Sequence, residues 1–242
     1  MERPICLRSV WPAWTVLLVT LTAAAVPASS SSARARDAAG PPARSADSEE
    51  VTLALSAAPS TLTTGADVYV GRHGHFVKVR TGTTGFACIV SRDTRLNGVF
   101  PMCFDPEAAR TLMWDEMMQS ELRSQGLPDS TIKQRVVAAY AKGTLHHPDK
   151  PAITYMMSSH QDLEVTQADG PHLVGPWRPH VMIYLPHASA AQFALGAEDE
   201  HGPVSAPFGD DAGGTQLVIQ VPHWADSPAS PEGAKATASA TR

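Results

Sequence analysis

Apolar and polar positions along the chain switch period several times. Residues 67–92, "DVYVGRHGHFVKVRTGTTGFACIVSR", hold three short β-rich runs separated by "RHGH" and "TGTTG". Gly71, Gly74, Gly82 and Gly85 supply turn conformations that other residues resist. The pattern predicts three antiparallel strands in a meander. Alternation puts Val77 and Val79 on one face and Phe76, Lys78 and Arg80 on the other. Phe86, Cys88 and Val90 then share a face of the third strand. The next stretch, "RDTRLNGVFPMC", reads as a loop turning at Asn97-Gly98.

The period then becomes helical. In "FDPEAARTLMWDEMMQSELRSQG" (104–126), Leu112, Met113, Met117 and Leu122 keep a rough helical spacing. Asp105 suits the N-cap, Pro106 the first helical position and Gly126 the C-terminus. A second helix is predicted over "LPDSTIKQRVVAAYAKG" (127–143), capped by Asp129 or Ser130 and ended by Gly143. Ile132, Val136, Val137 and Tyr140 line one side of it. The short connection makes the two helices an antiparallel pair. Three strand-like runs follow at 152–159, 180–186 and 215–222, with a short helix over "SAAQFALG" between the last two. Three strands, two helices and three strands predict an α+β fold. The sheet is mostly antiparallel, in β-β-β-α-α-β-β-β order, with a two-helix insertion packed on it.

Composition sets the limits of this domain. Residues 1–28 carry Arg3 and Arg8, the apolar run "VWPAWTVLLVTLTAAAV" and then small residues, the three-part pattern of an export signal. An uncleaved anchor is the competing reading, since about 17 apolar residues is the short end of what spans a bilayer. Residues 29–50 and 225–242 are rich in Ser, Ala, Pro and charge, which predicts a disordered linker and tail. A single domain over residues 51–224 remains. The expected location is the periplasm or the extracellular space, with no membrane span once the signal is removed.

Removing residues 1–28 takes away Arg3, Arg8 and Glu2 and moves the formal net charge from −5 to −6. That argues against nucleic-acid binding, which needs a basic footprint. Two cysteines then remain, Cys88 and Cys103, and an even pair in an oxidising compartment reads as a disulfide.

All ten histidines lie beyond residue 28. His73 and His75 are two residues apart and would share a face in an extended chain, a candidate metal pair with no third ligand fixed by spacing. His146-His147 before Pro148 reads as a loop. His180 and His187 flank the apolar run "VMIYLP". Extended, they stand roughly 23 Å apart, too far for one metal. Either can line a pocket at a strand end. If 152–159 pairs with 180–186, then Tyr155, Ser158 or His160 approaches His180 or Tyr184, a cluster able to bind a small ligand or to activate a hydroxyl, with His187 a further candidate at the strand's other end.

Ser130 and Lys133 match S-x-x-K, but neither S-D-N nor K-T-G follows. "GDDAGG" (209–214) lacks the remaining ligands of an EF-hand loop and reads as a Gly-Asp turn. The chain has no G-x-S-x-G, C-x-x-C-H, P-loop or G-x-G-x-x-G, so no cofactor is expected.

Several stretches carry a resemblance. They are the opening strand region "ALSAAP", the "GTTGFACIVSR" meander, Tyr155-Met-Met-Ser158, and Pro179-His180-Val-Met-Ile-Tyr184-Leu-Pro186. Over most of residues 54–221 the chain resembles a family of uncharacterised exported bacterial proteins. The resemblance implies a single exported domain and assigns no catalytic residue. The leading expectation is a non-catalytic domain that binds a small molecule or a protein partner. The alternative is a histidine-using, metal-assisted hydrolase.

Overall fold

The first surprise in the chain is a helix where low hydropathy predicts a linker. Helix α1 (Ala43–Leu55) contains residues 43–50, and "ALSAAP" forms its end and the turn after it instead of a strand. The helix buries Ala54 against the sheet with Val51, Leu53 and Leu55 partly buried beside it, and Ala57 and Ala58 of the following turn are buried there too. The computed structural model describes residues 43–93, 97–162, 164–167, 170–173, 178–195, 202–208, 210–211 and 214–227. The predicted signal, the linker up to residue 42 and the tail from residue 228 lie outside the described residues.

After a short helical turn, α2 (Ser60–Thr63), strands β1 (Asp67–Arg72) and β2 (His75–Arg80) form an antiparallel hairpin. His73 and Gly74 make its two-residue turn, both at positive φ (51° and 81°), the backbone twist that such hairpins favour. The predicted meander stops there. Strand β3 (Ala87–Asp93) pairs with β1, not β2, and runs parallel to it. The loop between β2 and β3 explains the change, because it folds over the start of β1. Gly82 N–H donates to Asp67 Oδ1 (2.7 Å), Thr83 N–H to Gly65 O (2.8 Å), and Asp67 N–H to Phe86 O (2.8 Å). A Cβ on Gly82 would lie 2.1 Å from Gly65 O, so only glycine allows this crossing.

The stretch predicted as a loop after β3 is largely strand. Asn97, at φ 44°, closes a hairpin into β4 (Gly98–Phe104), which pairs antiparallel with β3 from Ala87↔Phe104 to Asp93↔Gly98.

The helical insertion has three pieces instead of two. Asp105 caps α3 (Pro106–Arg110) by accepting from Ala108 N–H at 2.7 Å. Thr111 interrupts the helix; its hydroxyl donates to Glu107 O (2.7 Å) and its backbone leaves helical geometry. Helix α4 (Leu112–Ser124) then buries Met113, Met117, Ser120 and Leu122 and ends near Gly126, at φ 73°. Helix α5 (Asp129–Ala141) starts from Pro128, with neither predicted cap residue serving. It buries Ile132 and Ala139, while Val137 points outward.

Strands β5 (Ala152–Met156), β6 (Glu164–Gln167), β7 (Gly170–Leu173) and β8 (His180–Pro186) follow. A 3₁₀ turn at Ala190–Phe193, β9 (Val204–Ser205), β10 (Asp210–Asp211) and β11 (Gly214–Gln220) complete the described chain. The main sheet runs β10-β11-β8-β5-β4-β3-β1-β2, with β9 also on β11; β6 and β7 form a separate hairpin. β1 and β3 are parallel, and the remaining pairings among the described strands are antiparallel. The fold is therefore α+β with a mostly antiparallel mixed sheet.

Helices cover both faces of that sheet. On one, Met113 and Met117 of α4 and Ala108 of α3 pack against Ile89, Met102, Phe104, Met156 and Met182. On the other, Ala54 of α1 and Ala57 and Ala58 just after it lie with Val68, Val70, Cys88, Val90 and Cys103. Small side chains there let the helix approach the sheet closely. Cys88 and Cys103 face each other across β3 and β4 and form a disulfide, with Cα atoms 4.1 Å apart and no exposure. No helix among the described residues is long and apolar enough to cross a membrane.

Candidate functional site

Strand pairing carries the predicted cluster only part of the way. β5 and β8 are antiparallel neighbours, in register from Ala152↔Tyr184 to Met156↔His180. This brings Ser158, His160 and His180 to one end of the sheet. Tyr184 and His187 stand toward the other end of β8, and His187 is exposed in the turn at φ 60°. Tyr155 lies on the α1 face, its ring 6.3 Å from that of Phe86. His180 and Tyr184 alternate with it onto the α4 face. The six residues therefore do not form one cluster.

Two of the three side chains at the shared end, Ser158 and His180, have structural partners. Ser56 donates its hydroxyl hydrogen to Leu53 O (2.6 Å), so Ser158 donates to Ser56 Oγ (2.6 Å) and accepts from His160 N–H (3.1 Å). Ser158 thus ties the end of α1 to the exit of β5. His180 is buried, and its Nδ1 lies 2.8 Å from Arg178 O; a carbonyl only accepts, so Nδ1 carries the proton. Burial pushes its pKa down, against the opposing pull of the Arg178 bond, and the ring is neutral at pH 7.

His160 is exposed, with Nε2 3.8 Å from Asp226. Asp226, placed by composition in the tail, also accepts from Ser159 N–H (3.1 Å) and Ser159 hydroxyl (2.9 Å). Ala225 N–H donates to Met157 O (2.7 Å), so the chain is docked through these residues.

His73 and His75 do not share an extended face, because His73 belongs to the hairpin turn. His75 is exposed, 3.6 Å from Glu121. Among the described residues no group of three or more His, Cys, Asp or Glu is arranged to hold a metal ion. Ser130 and Lys133 are both exposed on α5. Of "GDDAGG", Gly209, Ala212 and Gly213 lie outside the described residues, and Asp210 accepts from Ala190 N–H at 2.7 Å.

A concave site lies elsewhere, between α3 and the loop that follows α5. Its volume is about 430 Å³, and Glu107, Arg110, Thr111, His146, His147 and Asp149 line it. Glu107 organises it. Its side chain is only 6% exposed, and a buried carboxylate must be compensated. Oε1 accepts from Asp149 N–H (3.3 Å); Oε2 pairs with Arg110 and lies 3.8 Å from Lys150 Nζ. Both cations keep about two thirds of their side-chain surface exposed (66% and 68%), so each retains donors for solvent or a ligand.

The opposite wall is held by α5. The ring of Tyr140 stacks on His147, with centroids 4.0 Å apart and planes 5° apart. Its hydroxyl donates to Asp115 Oδ2 (2.9 Å) on α4. His146 is exposed beside it. The result is a rigid polar hollow with cationic, imidazole and carboxylate groups at its rim. Thr111 gives its hydroxyl hydrogen to Glu107 O and so is not poised as a nucleophile.

Sequence reasoning missed this site. The available signals were Glu107 three residues before Arg110, and the dense polar run His146-His147-Pro148-Asp149-Lys150. No family model, no curated protein and no solved structure matches the chain.

Proposed function

We propose that the chain is an exported, non-catalytic binding domain whose hollow between α3 and the loop after α5 takes a small polar molecule bearing an anionic group. The observation that carries this reading is the anchoring of Arg110 and Lys150 on one buried carboxylate, Glu107, beside His146 and His147. Glu107 holds Arg110 at the wall of the hollow, and Lys150 stands 3.8 Å from the same carboxylate just outside the lining. Guanidinium and ammonium groups held in this way suit carboxylate or phosphate oxygens. The carboxylate of Asp149 at the same rim favours a ligand that also carries a donor. Export is supported by the signal-like start of the chain and by the Cys88–Cys103 disulfide, which persists in oxidising compartments.

The test is an NMR titration of the protein with inorganic phosphate and, separately, with succinate. The expected result is saturable shifts confined to Arg110, Thr111 and residues 146–150, lost in Arg110→Ala. Absence of saturable shifts at tens of millimolar, or shifts centred on another part of the fold, overturns the reading.

A further inference from the structure

Among the described residues the sheet ends at β2, which pairs with β1 and has no described strand along its other edge. Helix α1 packs over β1, β3 and β4, and β2 projects past it. The overhang leaves a groove of about 710 Å³ between the first half of α1 and β2, lined by Asp47, Val51, Arg72, Val77, Val79 and Arg80 among others.

Two properties of this groove select an occupant. Its floor is apolar: Val51 and Val79 are partly buried and Val77 is 41% exposed, high for a valine in a strand. Its lining carries Arg72, Lys78 and Arg80 against one carboxylate, Asp47, in an otherwise acidic chain. Residues 72–80, "RHGHFVKVR", hold no carboxylate. Arg72 is matched by Asp47, and Lys78 by Asp67 at 2.7 Å. The guanidinium of Arg80 donates to Thr64 O, a neutral carbonyl, and among the described residues no acid pairs with it. The strand edge already receives one carboxylate from within the molecule. Phe76 N–H donates to Glu121 Oε1 (2.9 Å), and His75 stands 3.6 Å from the other oxygen.

We propose that this groove binds an extended acidic peptide segment of a partner protein. Aliphatic side chains of the segment would cover Val77 and Val79, its carboxylates would meet Arg80 and the outer face of Arg72, and its backbone would lie along the edge of β2 beyond Phe76. Binding by addition at a sheet edge takes its affinity from main-chain bonds and its selectivity from alternate side chains. The site is separate from the hollow at Glu107 and does not depend on that reading.

The probe is a fluorescent peptide of alternating glutamate and valine, six residues long, titrated with the full chain and followed by anisotropy. The expected result is saturable binding that weakens steeply with added salt. A lysine–valine peptide of the same length should bind at least tenfold more weakly. Arg80→Ala and Val77→Glu, both surface changes, should each weaken the acidic peptide about tenfold or more. Hydrogen exchange should slow at the amides of residues 75–80 when the peptide is present. Equal binding of the lysine peptide, binding unaffected by both variants, or protection elsewhere overturns the proposal. So does binding of heparin with no binding of the peptide, which would make the strip a polyanion surface.

Discussion

Replacing Cys88 and Cys103 together by alanine removes the covalent tie between β3 and β4 at the centre of the α1 face. The two cysteines are 15 residues apart. For a loop of this length the chain-entropy argument gives about 3 kcal/mol. Both sulfurs are buried at zero exposure. Losing each resembles losing a buried methylene, about 0.8 kcal/mol apiece. The double variant should therefore be less stable by about 4–5 kcal/mol, a large part of what a domain of this kind possesses. With a urea slope of about 2 kcal/mol/M, the unfolding midpoint should fall by about 2 M. Urea unfolding followed by tryptophan fluorescence and by far-ultraviolet circular dichroism measures it. A thiol titration accompanies the melt: the native full chain should show no more than the single thiol of Cys6, with or without mild reductant, until it unfolds. A midpoint within about 0.5 M of the unaltered protein would refute the argument. So would a native chain that yields three thiols.

Two further perturbations test the elements that place these sites. Gly82→Ala should destabilise the domain by at least about 3 kcal/mol, because its Cβ would meet the backbone of Gly65 and Ala66 and neither can move away without opening the β1–β3 pairing; a thermal melt close to that of the unaltered chain would contradict the crossing loop. His180 gives a pH signature whose sign follows from its lowered pKa. Between that value and its ordinary 6.5, the unfolded chain binds a proton that the folded chain does not. Stability should therefore rise with pH through this window, by at most about 1.4 kcal/mol per unit, and level off above 6.5. His180→Gln should lose this part of the slope in denaturant melts from pH 5 to 8, and equal slopes in the two proteins would assign the dependence to other groups.

What could be read from the chain depended on how local its cause was. The apolar run of β8 was legible because a central strand buries alternate residues and half-buries the rest, as Met182 and Tyr184 do beside Val181 and Ile183. The helix starting at Pro106 was legible because Asp105 and Pro106 act within one turn. The parallel pairing of β1 with β3 was not, because it rests on Gly82 N–H meeting Asp67 fifteen residues earlier. Helix α1 was hidden for a different reason: its first half is polar and charged, and the residues packed on the sheet, Val51, Leu53, Ala54 and Leu55, gather in its last turns. The histidines show the same division. His180 sits in its predicted strand and is buried there, with its Nδ1 bonded to the local carbonyl of Arg178.

The hollow at Glu107 lies at the far end of that scale. Its carboxylate and the Asp149 amide that it holds are 42 residues apart. They meet only because α4 and α5 run back on each other, with Tyr140 bonded to Asp115. Spacing cannot reveal a pair made by two intervening helices. What the sequence does carry is the requirement that makes the pair informative. A glutamate in the first turn of a helix is ordinarily solvated and needs no cation. Glu107 is buried with Arg110 and Lys150 drawn onto it, and burying a carboxylate there costs stability that an apolar residue would not. Stability alone gives no reason to place that charge under an open hollow. Holding Arg110 at the wall of that hollow for a ligand does, with Lys150 drawn onto the same carboxylate, and the proposed function therefore rests on Glu107 and not on the histidine-flanked strand.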